Sequence, residues 1–181
     1  MAIGELAVRY DAFVVTDEVY EHMVYAPNKH ICMASLPGMY EHTITCNSLS
    51  KTYSITGWRL GYLIGPEKVI EAAKKVHDFL TVGAAAPLQE AATVGVKFSD
   101  EYYEKLLQTY TEKRNYFLKG LDKIGLKHNV PQGTYFVLID ISDFFKEDVN
   151  HLIRLHFARE KKTLDEALCR LEKMKECFRS Y

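Results

Sequence analysis

The sequence lacks an excess of charge of either sign, a long apolar run and a paired cysteine pattern. Its 181 residues carry 23 basic and 24 acidic side chains, so no basic face argues for nucleic acid as a partner. No apolar stretch reaches the length of a membrane span and no basic, apolar leader is visible, so we expect no membrane partner and a cytoplasmic location. The four cysteines follow neither a metal-ligand spacing nor a secreted disulfide pattern, so we expect no metal site.

What the sequence does contain is enough apolar material for a core and an alternation of strands with helices. Hydrophobic residues make up 48% of the chain, which indicates a globular protein. The class predicted from the alternation is α/β, with a partial, mostly parallel sheet at the front and a smaller α+β part behind. Apolar and β-branched runs predict strands at residues 13–16, 43–46 and 60–64, and we expect the first to be buried on both faces.

The second half of the chain predicts one long helix and a smaller set of strands. Ser99 precedes the acidic residues 100–101 and Gly125 follows the last apolar position, which are start and stop signals for a helix between them. Strands are predicted at 133–141 and 152–158, and a final helix is predicted to begin with a capping box of Thr163 and Glu166. We therefore divide the chain into residues 1–98, which contain the predicted parallel strands, and residues 99–181, the long helix with a small domain.

Reactive side chains follow the predicted strands. Asp17, Ser48 and Lys51 come at strand ends, where open α/β sheets bind their ligands. A lysine is most often a solvated surface charge, but one whose surroundings disfavour the charge can attack a carbonyl. Asp17 has a cap or turn role as its ordinary interpretation, and holding a proton on a ring nitrogen as the alternative. Glu18 beside it could instead be the surface member of the pair.

Hydroxyl and guanidinium groups near Lys51 suit a phosphate. Ser48 and Arg59 together could make short, charge-assisted bonds to a dianion, although either alone means little. Gly57 permits a tight turn before Arg59, or it could be an ordinary turn glycine without a role in binding. Tyr20 could hydrogen-bond a phenolic oxygen of a ligand, or it could serve in packing.

Two motifs together resemble a known family. The motif SLSK at 48–51, followed by TGWRLGY at 56–62, resembles the pyridoxal-phosphate lysine motif of the class I/II aminotransferases. The resemblance implies that Lys51 is the catalytic residue and binds the coenzyme covalently, and that Ser48 and Arg59 bind its phosphate. The motif DEVY at 17–20 is similar to the family's Asp-x-x-Tyr, which implies that Asp17 pairs with the pyridine nitrogen and Tyr20 with the phenolic oxygen.

A third motif lies near the end of the chain. The segment LIRLHFA at 152–158 resembles the one whose arginine binds the substrate's α-carboxylate, which makes Arg154 the candidate and Arg159 the second choice. The resemblance implies the fold type I architecture, a homodimer, pyridoxal 5'-phosphate as cofactor, and transamination between an amino acid and a 2-oxo acid.

The similarity is to the C-terminal portion of that family. A complete member has a preceding segment with a phosphate loop, a stacked aromatic residue and an asparagine, and none has a counterpart before Asp17. We therefore expect a truncated chain. The alternatives are a related lyase acting at Cβ or Cγ, and a non-catalytic aminotransferase remnant that serves as a binding or dimerising piece.

Overall fold

The chain forms two compact units. The computed structural model describes residues 2–144 and 151–179, with side chains as far as residue 177. The first unit contains residues 2–22 and 30–101, and the second contains 23–29 and 102–179. None of the described helices is long and apolar enough to cross a membrane.

The first unit is a small sheet with helices. Its elements are α1 (Ala2–Arg9), β1 (Val14–Asp17), β2 (Thr43–Ser48), α2 (Leu49–Thr52), β3 (Gly61–Ile64), α3 (Glu67–Thr81) and α4 (Ala86–Val96). The strand order is β1-β2-β3. The pairing of β1 with β2 is parallel, whereas that of β2 with β3 is antiparallel.

The expectation of a mostly parallel sheet therefore holds for the first of these pairs and not for the second. Parallel neighbours need a crossover connection, usually through a helix that carries the chain back along the sheet. The connection between β2 and β3 contains only the four-residue α2 and a short 3-10 turn over Thr56–Trp58. The chain consequently turns back at the same end of the sheet.

The expectation that residues 13–16 are buried on both faces is wrong. Val15 is 65% exposed and Phe13 is 52% exposed. The apolar stripe of α3 is also uncovered, since Val76 is 60% and Leu80 is 75% exposed. Apolar spacing indicates which residues favour burial, but no other part of the described chain covers these faces.

The second unit contains the larger apolar core. Its elements are α5 (Asp100–Ile124, whose first two residues belong to the first unit), β4 (Phe136–Asp140), β5 (Leu152–His156) and α6 (Lys161–Arg179). β4 and β5 pair antiparallel. The buried core cluster comprises Tyr25, Phe117, Leu118, Leu121, Leu126, Val137, Ile139, Ile141, Phe157 and Leu164.

Tyr25 ties residues 23–29 to this second unit. Its hydroxyl donates to the carbonyl of Thr134 at 2.6 Å, and its backbone N–H donates to the carbonyl of Gln132. The guanidinium of Arg114 lies 4.1 Å from the centre of its ring. The segment therefore leaves the first unit, packs with the second, and returns.

The start of the last helix differs from the expectation. α6 begins at Lys161, so Thr163 lies inside the first turn, where its N–H donates to the carbonyl of Glu160. A residue inside the helix cannot be its N-cap, and the predicted capping box of Thr163 and Glu166 is wrong. The end of α5 matches its signal: Gly125 follows Ile124 with a φ of 72°, and the Lys175 amine donates to both of their carbonyls.

A matched pair of Phe→Ala substitutions tests this division into covered and uncovered faces. Phe117 on α5 is 1% exposed and Phe79 on α3 is 94% exposed. Phe117→Ala should lower the free energy of unfolding by roughly 3–5 kcal/mol because it opens a cavity. Phe79→Ala should change it by less than about 0.5 kcal/mol. Urea unfolding followed by circular dichroism measures both, and equal losses would contradict the burial described here.

Candidate functional site

The ends of three strands meet at one end of the first unit's sheet. Asp17 is the last residue of β1 and lies opposite Cys46, two residues before the end of β2 at Ser48. Because β3 runs antiparallel, its first residue, Gly61, lies opposite Ser48. Arg59 comes two residues earlier, so it enters from the same end. The strand pairing thus brings the predicted site residues of the first unit to the same end of the sheet.

Ser48 and Lys51 belong to one tight turn. Ser48 is the N-cap of α2, and its hydroxyl oxygen accepts the N–H of Ser50 at 3.1 Å. The same oxygen lies 2.7 Å from the hydroxyl of Ser50, which is buried. Asn47 accepts the N–H of Ser48 at 2.7 Å. These bonds fix the position of Lys51, a half-buried residue of α2, directly after the strand.

Arg59 has a strained backbone. Its φ is 56° and its ψ is 42°, the left-handed region that side-chain-bearing residues rarely adopt. Its guanidinium donates to the carbonyl of Thr56 at 3.0 Å, and the Thr56 hydroxyl donates to the carbonyl of Ser50 at 3.2 Å. Strain of this kind clusters at ligand-binding sites. The Arg59 residue is exposed.

Asp17 lies at the surface and Tyr20 in the turn that follows. One Asp17 oxygen accepts the N–H of Val19 at 3.2 Å, the local turn role that its ordinary interpretation predicts. Because the carboxylate is exposed, its other oxygen is accessible to a ligand. The pKa of the Cys46 thiol, on the neighbouring strand, is raised mainly by burial and secondly by the negative charge of Asp17. Tyr20 is half-buried.

The neighbouring Glu18 corrects the sequence interpretation. The sequence allowed it to be the surface member of the pair, yet it is 8% exposed. Its carboxylate accepts the Thr16 hydroxyl at 2.8 Å and lies 3.1 Å from the ring nitrogen Nε2 of His30. A buried carboxylate needs such partners because it loses its water shell. No spacing rule pairs Glu18 with His30, twelve residues away in a stretch without regular structure.

A second bond network extends from this pair towards β2. The Glu21 carboxylate accepts the side-chain amide of Asn47 at 2.6 Å. Ligand atoms of Glu18, Glu21 and His30 all lie within 4.8 Å of one another. Since both carboxylates already accept hydrogen bonds from protein groups, we assign the cluster a structural role in holding the turn after β1 against the end of β2. Sequence reasoning missed Asn47, His30 and Thr56, because their partners are set by the tertiary structure.

Arg154 lies on β5 in the second unit. It is exposed, it is paired with Leu138 across the hairpin, and its guanidinium carbon lies 4.5 Å from the centre of the Phe136 ring. Within residues 2–144 and 151–177 it makes no ion pair with a carboxylate. Arg159, the second choice, follows the strand, and its N–H donates to the carbonyl of Phe157 at 2.8 Å.

The profile of one protein family spans most of this chain. The family described as "Aminotransferase class I and II" matches residues 1–169. The chain belongs to this aminotransferase family. Members of the class I/II aminotransferases depend on pyridoxal phosphate, so the predicted cofactor is the cofactor of the family.

Individual relatives agree with this assignment. Kynurenine--oxoglutarate transaminase 3 of Homo sapiens is 40% identical over 147 residues, which cover 77% of this chain and 32% of the relative. A bifunctional aspartate aminotransferase and glutamate/aspartate-prephenate aminotransferase of Petunia hybrida is 37% identical over 153 residues, with 82% and 32% covered. The chain thus spans about a third of the length of these curated relatives.

Solved structures show the same fold. N-succinyldiaminopimelate aminotransferase from Mycobacterium tuberculosis superposes with a TM-score of 0.86 at 31% identity, covering 94% of this chain and 52% of that one. An aromatic aminotransferase from Pyrococcus horikoshii gives 0.87 at 29% identity, covering 97% and 54%. The α/β class predicted from the alternation of strands and helices is therefore confirmed at this level.

The donor set at the strand ends fits pyridoxal phosphate. A phosphate dianion accepts strong hydrogen bonds from hydroxyl and guanidinium groups, which Ser48 and Arg59 carry. An aldehyde condenses with an amine, and a nearby carboxylate stabilises a proton on a pyridine nitrogen. Lys51 and the exposed Asp17 lie at the same end of the sheet as those donors. The chemistry of the residues present therefore matches that of the family cofactor.

The backbone of Arg59 allows a test that is independent of any ligand. Arg59→Gly should be more stable than Arg59→Ala by roughly 1 kcal/mol, because only glycine adopts this left-handed conformation without a steric cost. At Arg170, an exposed position inside α6, the order should reverse by about the same amount. Urea midpoints of the four variants measure both differences. An Arg59→Ala protein as stable as Arg59→Gly would show that the turn is not strained.

Proposed function

We propose that the chain carries the coenzyme lysine and the carboxylate-binding arginine of a pyridoxal-phosphate-dependent aminotransferase, which transfers an amino group between an amino acid and a 2-oxo acid. The observation that supports this most strongly is the convergence of Asp17, Ser48, Lys51 and Arg59 on one end of a single sheet. The proposal assigns coenzyme binding to residues 1–98 and carboxylate binding to residues 99–181. It includes the homodimer implied by the family.

Each proposed role follows from the chemistry of the side chain. Ser48 and Arg59 hold the phosphate, and Asp17 keeps a proton on the pyridine nitrogen by placing a negative charge beside it. Tyr20 hydrogen-bonds the phenolic oxygen. When bound, pyridoxal phosphate supplies an electron-withdrawing ring that stabilises negative charge at the substrate Cα. These four residues therefore fix and tune the coenzyme without carrying out the proton transfer.

Lys51 and Arg154 act on the substrate in this proposal. The Lys51 amine would accept the proton from the substrate Cα as a general base and would deliver it, as a general acid, to the carbonyl carbon of the coenzyme. Arg154 binds the α-carboxylate with two parallel N–H donors, the geometry that a guanidinium fork provides. Orienting that carboxylate fixes which bond at Cα is placed for cleavage.

A second candidate follows from the exposed apolar faces. Phe79 is 94% and Val82 is 84% exposed. Uncovered apolar side chains of this kind favour a non-catalytic piece that acts through binding or dimerisation. The lyase alternative shares the coenzyme site, and it would release product without an oxo-acid acceptor. The acceptor named for the relatives, oxoglutarate, is the first substrate to supply.

Covalent coenzyme attachment provides the first test of this proposal. Pyridoxal phosphate added to the purified chain should give a new absorbance band, and borohydride should fix the adduct on the peptide that contains Lys51. Lys51→Ala should abolish both, whereas Lys75→Ala, which removes an exposed lysine of α3, should leave both unchanged. Mass analysis of the reduced peptides locates the adduct. Attachment that persists in Lys51→Ala would rule out the assignment of the coenzyme lysine, and no attachment in the unmodified chain would favour the binding piece.

The phosphate donors provide a separate test. The unmodified chain should bind pyridoxal phosphate more tightly than pyridoxal, which lacks the phosphate. Ser48→Ala and Arg59→Gln should each reduce that preference by roughly ten-fold or more, because each removes one strong bond to a dianion. Affinity for pyridoxal itself should hardly change. Absorbance titrations with the two aldehydes give the ratio, and a ratio unaffected by either substitution would contradict these roles.

A further inference from the structure

One face of the β4–β5 hairpin brings an arginine and an aromatic ring together. Across the ladder, Phe136 lies opposite His156 and Leu138 lies opposite Arg154. Residues directly opposite each other in an antiparallel pair point to the same face, and successive residues alternate. These four side chains therefore share one face, whereas Val137 lies on the other face and is 1% exposed in the core.

The guanidinium of Arg154 sits over the ring of Phe136 rather than beside an acid. The guanidinium carbon is 4.5 Å from the ring centre, well inside the range of about 6 Å for a cation–π interaction. No carboxylate among the described side chains forms an ion pair with it. An acidic partner would occupy the N–H donors that a ligand needs. A ring contacts the face of the guanidinium and leaves its edge available for hydrogen bonds.

The ring itself is held by two neighbours. The centre of the His156 ring lies 6.5 Å from the centre of the Phe136 ring, and the two ring planes make an angle of 74°. The centre of the Tyr135 ring lies 4.7 Å from it, with an angle of 51° between the planes. The pKa of His156 is lowered mainly by burial and secondly by the positive charge of Arg159. Both effects favour the neutral imidazole, which does not add a second cation to the ring that holds Arg154.

We propose that Phe136 is a positioning residue that orders the Arg154 guanidinium in an orientation open to a carboxylate. This inference rests on the proposed function, in which Arg154 binds the α-carboxylate. A long arginine side chain at the surface would otherwise lose rotamer freedom when a ligand binds. A ring that already restricts the guanidinium removes part of that cost before the carboxylate arrives.

The first measurement needs no ligand. In the nuclear magnetic resonance spectrum of the full chain, the δ-CH2 protons of Arg154 should be shifted upfield by the ring current of Phe136. Phe136→Tyr, which keeps an aromatic face, should retain the shift, and Phe136→Leu should abolish it. Phe79→Leu, at an exposed position of the first unit, should leave it unchanged. An Arg154 resonance that is the same in Phe136→Leu as in the unmodified protein would overturn the proposal.

The second measurement adds 2-oxoglutarate as the carboxylate probe and follows the backbone amide resonances of β5, which are present in the unmodified chain and in every variant. Phe136→Leu should weaken binding by about two- to five-fold, the fold-change that a modest cation–π interaction provides, and Phe136→Tyr should restore it. Arg154→Gln should abolish binding. Unchanged affinity in Phe136→Leu together with loss in Arg154→Gln would refute positioning while leaving the proposed function intact. Undiminished affinity in Arg154→Gln, or no binding to the unmodified chain, would count against the proposed function, whereas the ring-current shift tests separately whether Phe136 orders the Arg154 side chain.

Discussion

The parallel register of β1 and β2 is the constraint on which the candidate site depends. It places Asp17 opposite Cys46, and the ladder continues beyond β1 with the N–H of Glu18 bonded to the carbonyl of Cys46 at 2.9 Å. A slip of one residue would send every side chain of β1 to the other face, and the exposed carboxylate of Asp17 would move to the half-buried face of Val14 and Thr16. The same register sets where Asp17 lies relative to Lys51, because α2 begins where β2 ends.

Hydrogen bonds, more than apolar packing, hold the loops around those strand ends. Asn47 joins the end of β2 to Glu21, Glu18 joins the end of β1 to His30, and Thr56 closes the loop between Ser50 and Arg59. Directional bonds restrict geometry more tightly than apolar contact does. They also leave the site sensitive to the loss of a single partner, since an unpaired buried donor or acceptor costs about 1–3 kcal/mol.

The sequence was informative where the chemistry is local and uninformative where burial depends on distant parts of the chain. The strand ends at Asp17 and Ser48 and the stop of α5 at Gly125 could be predicted, because turns, caps and β-branched runs act over a few residues. The burial of Glu18 could not, since its partner His30 is brought to it by the fold. The exposure of Val15 could not be predicted either, because an apolar run shows that its residues favour burial but does not show that another element packs against them. The roles of the site residues remain predictions.

The two units differ in how far their own residues account for their stability. The second has a contiguous core that includes Phe117, Phe157 and Leu121, all 1% exposed or less. In the first, α3 has no buried residue, and the interior includes the polar side chains of Thr43, Thr45, Ser50 and Thr52. Apolar burial is the main favourable term in folding, at about 25 cal/mol per Å². The residues proposed to bind the coenzyme therefore lie in the unit that gains less from its own packing, and any partner that covers Phe79 and Val15 would stabilise the strand register that aligns them.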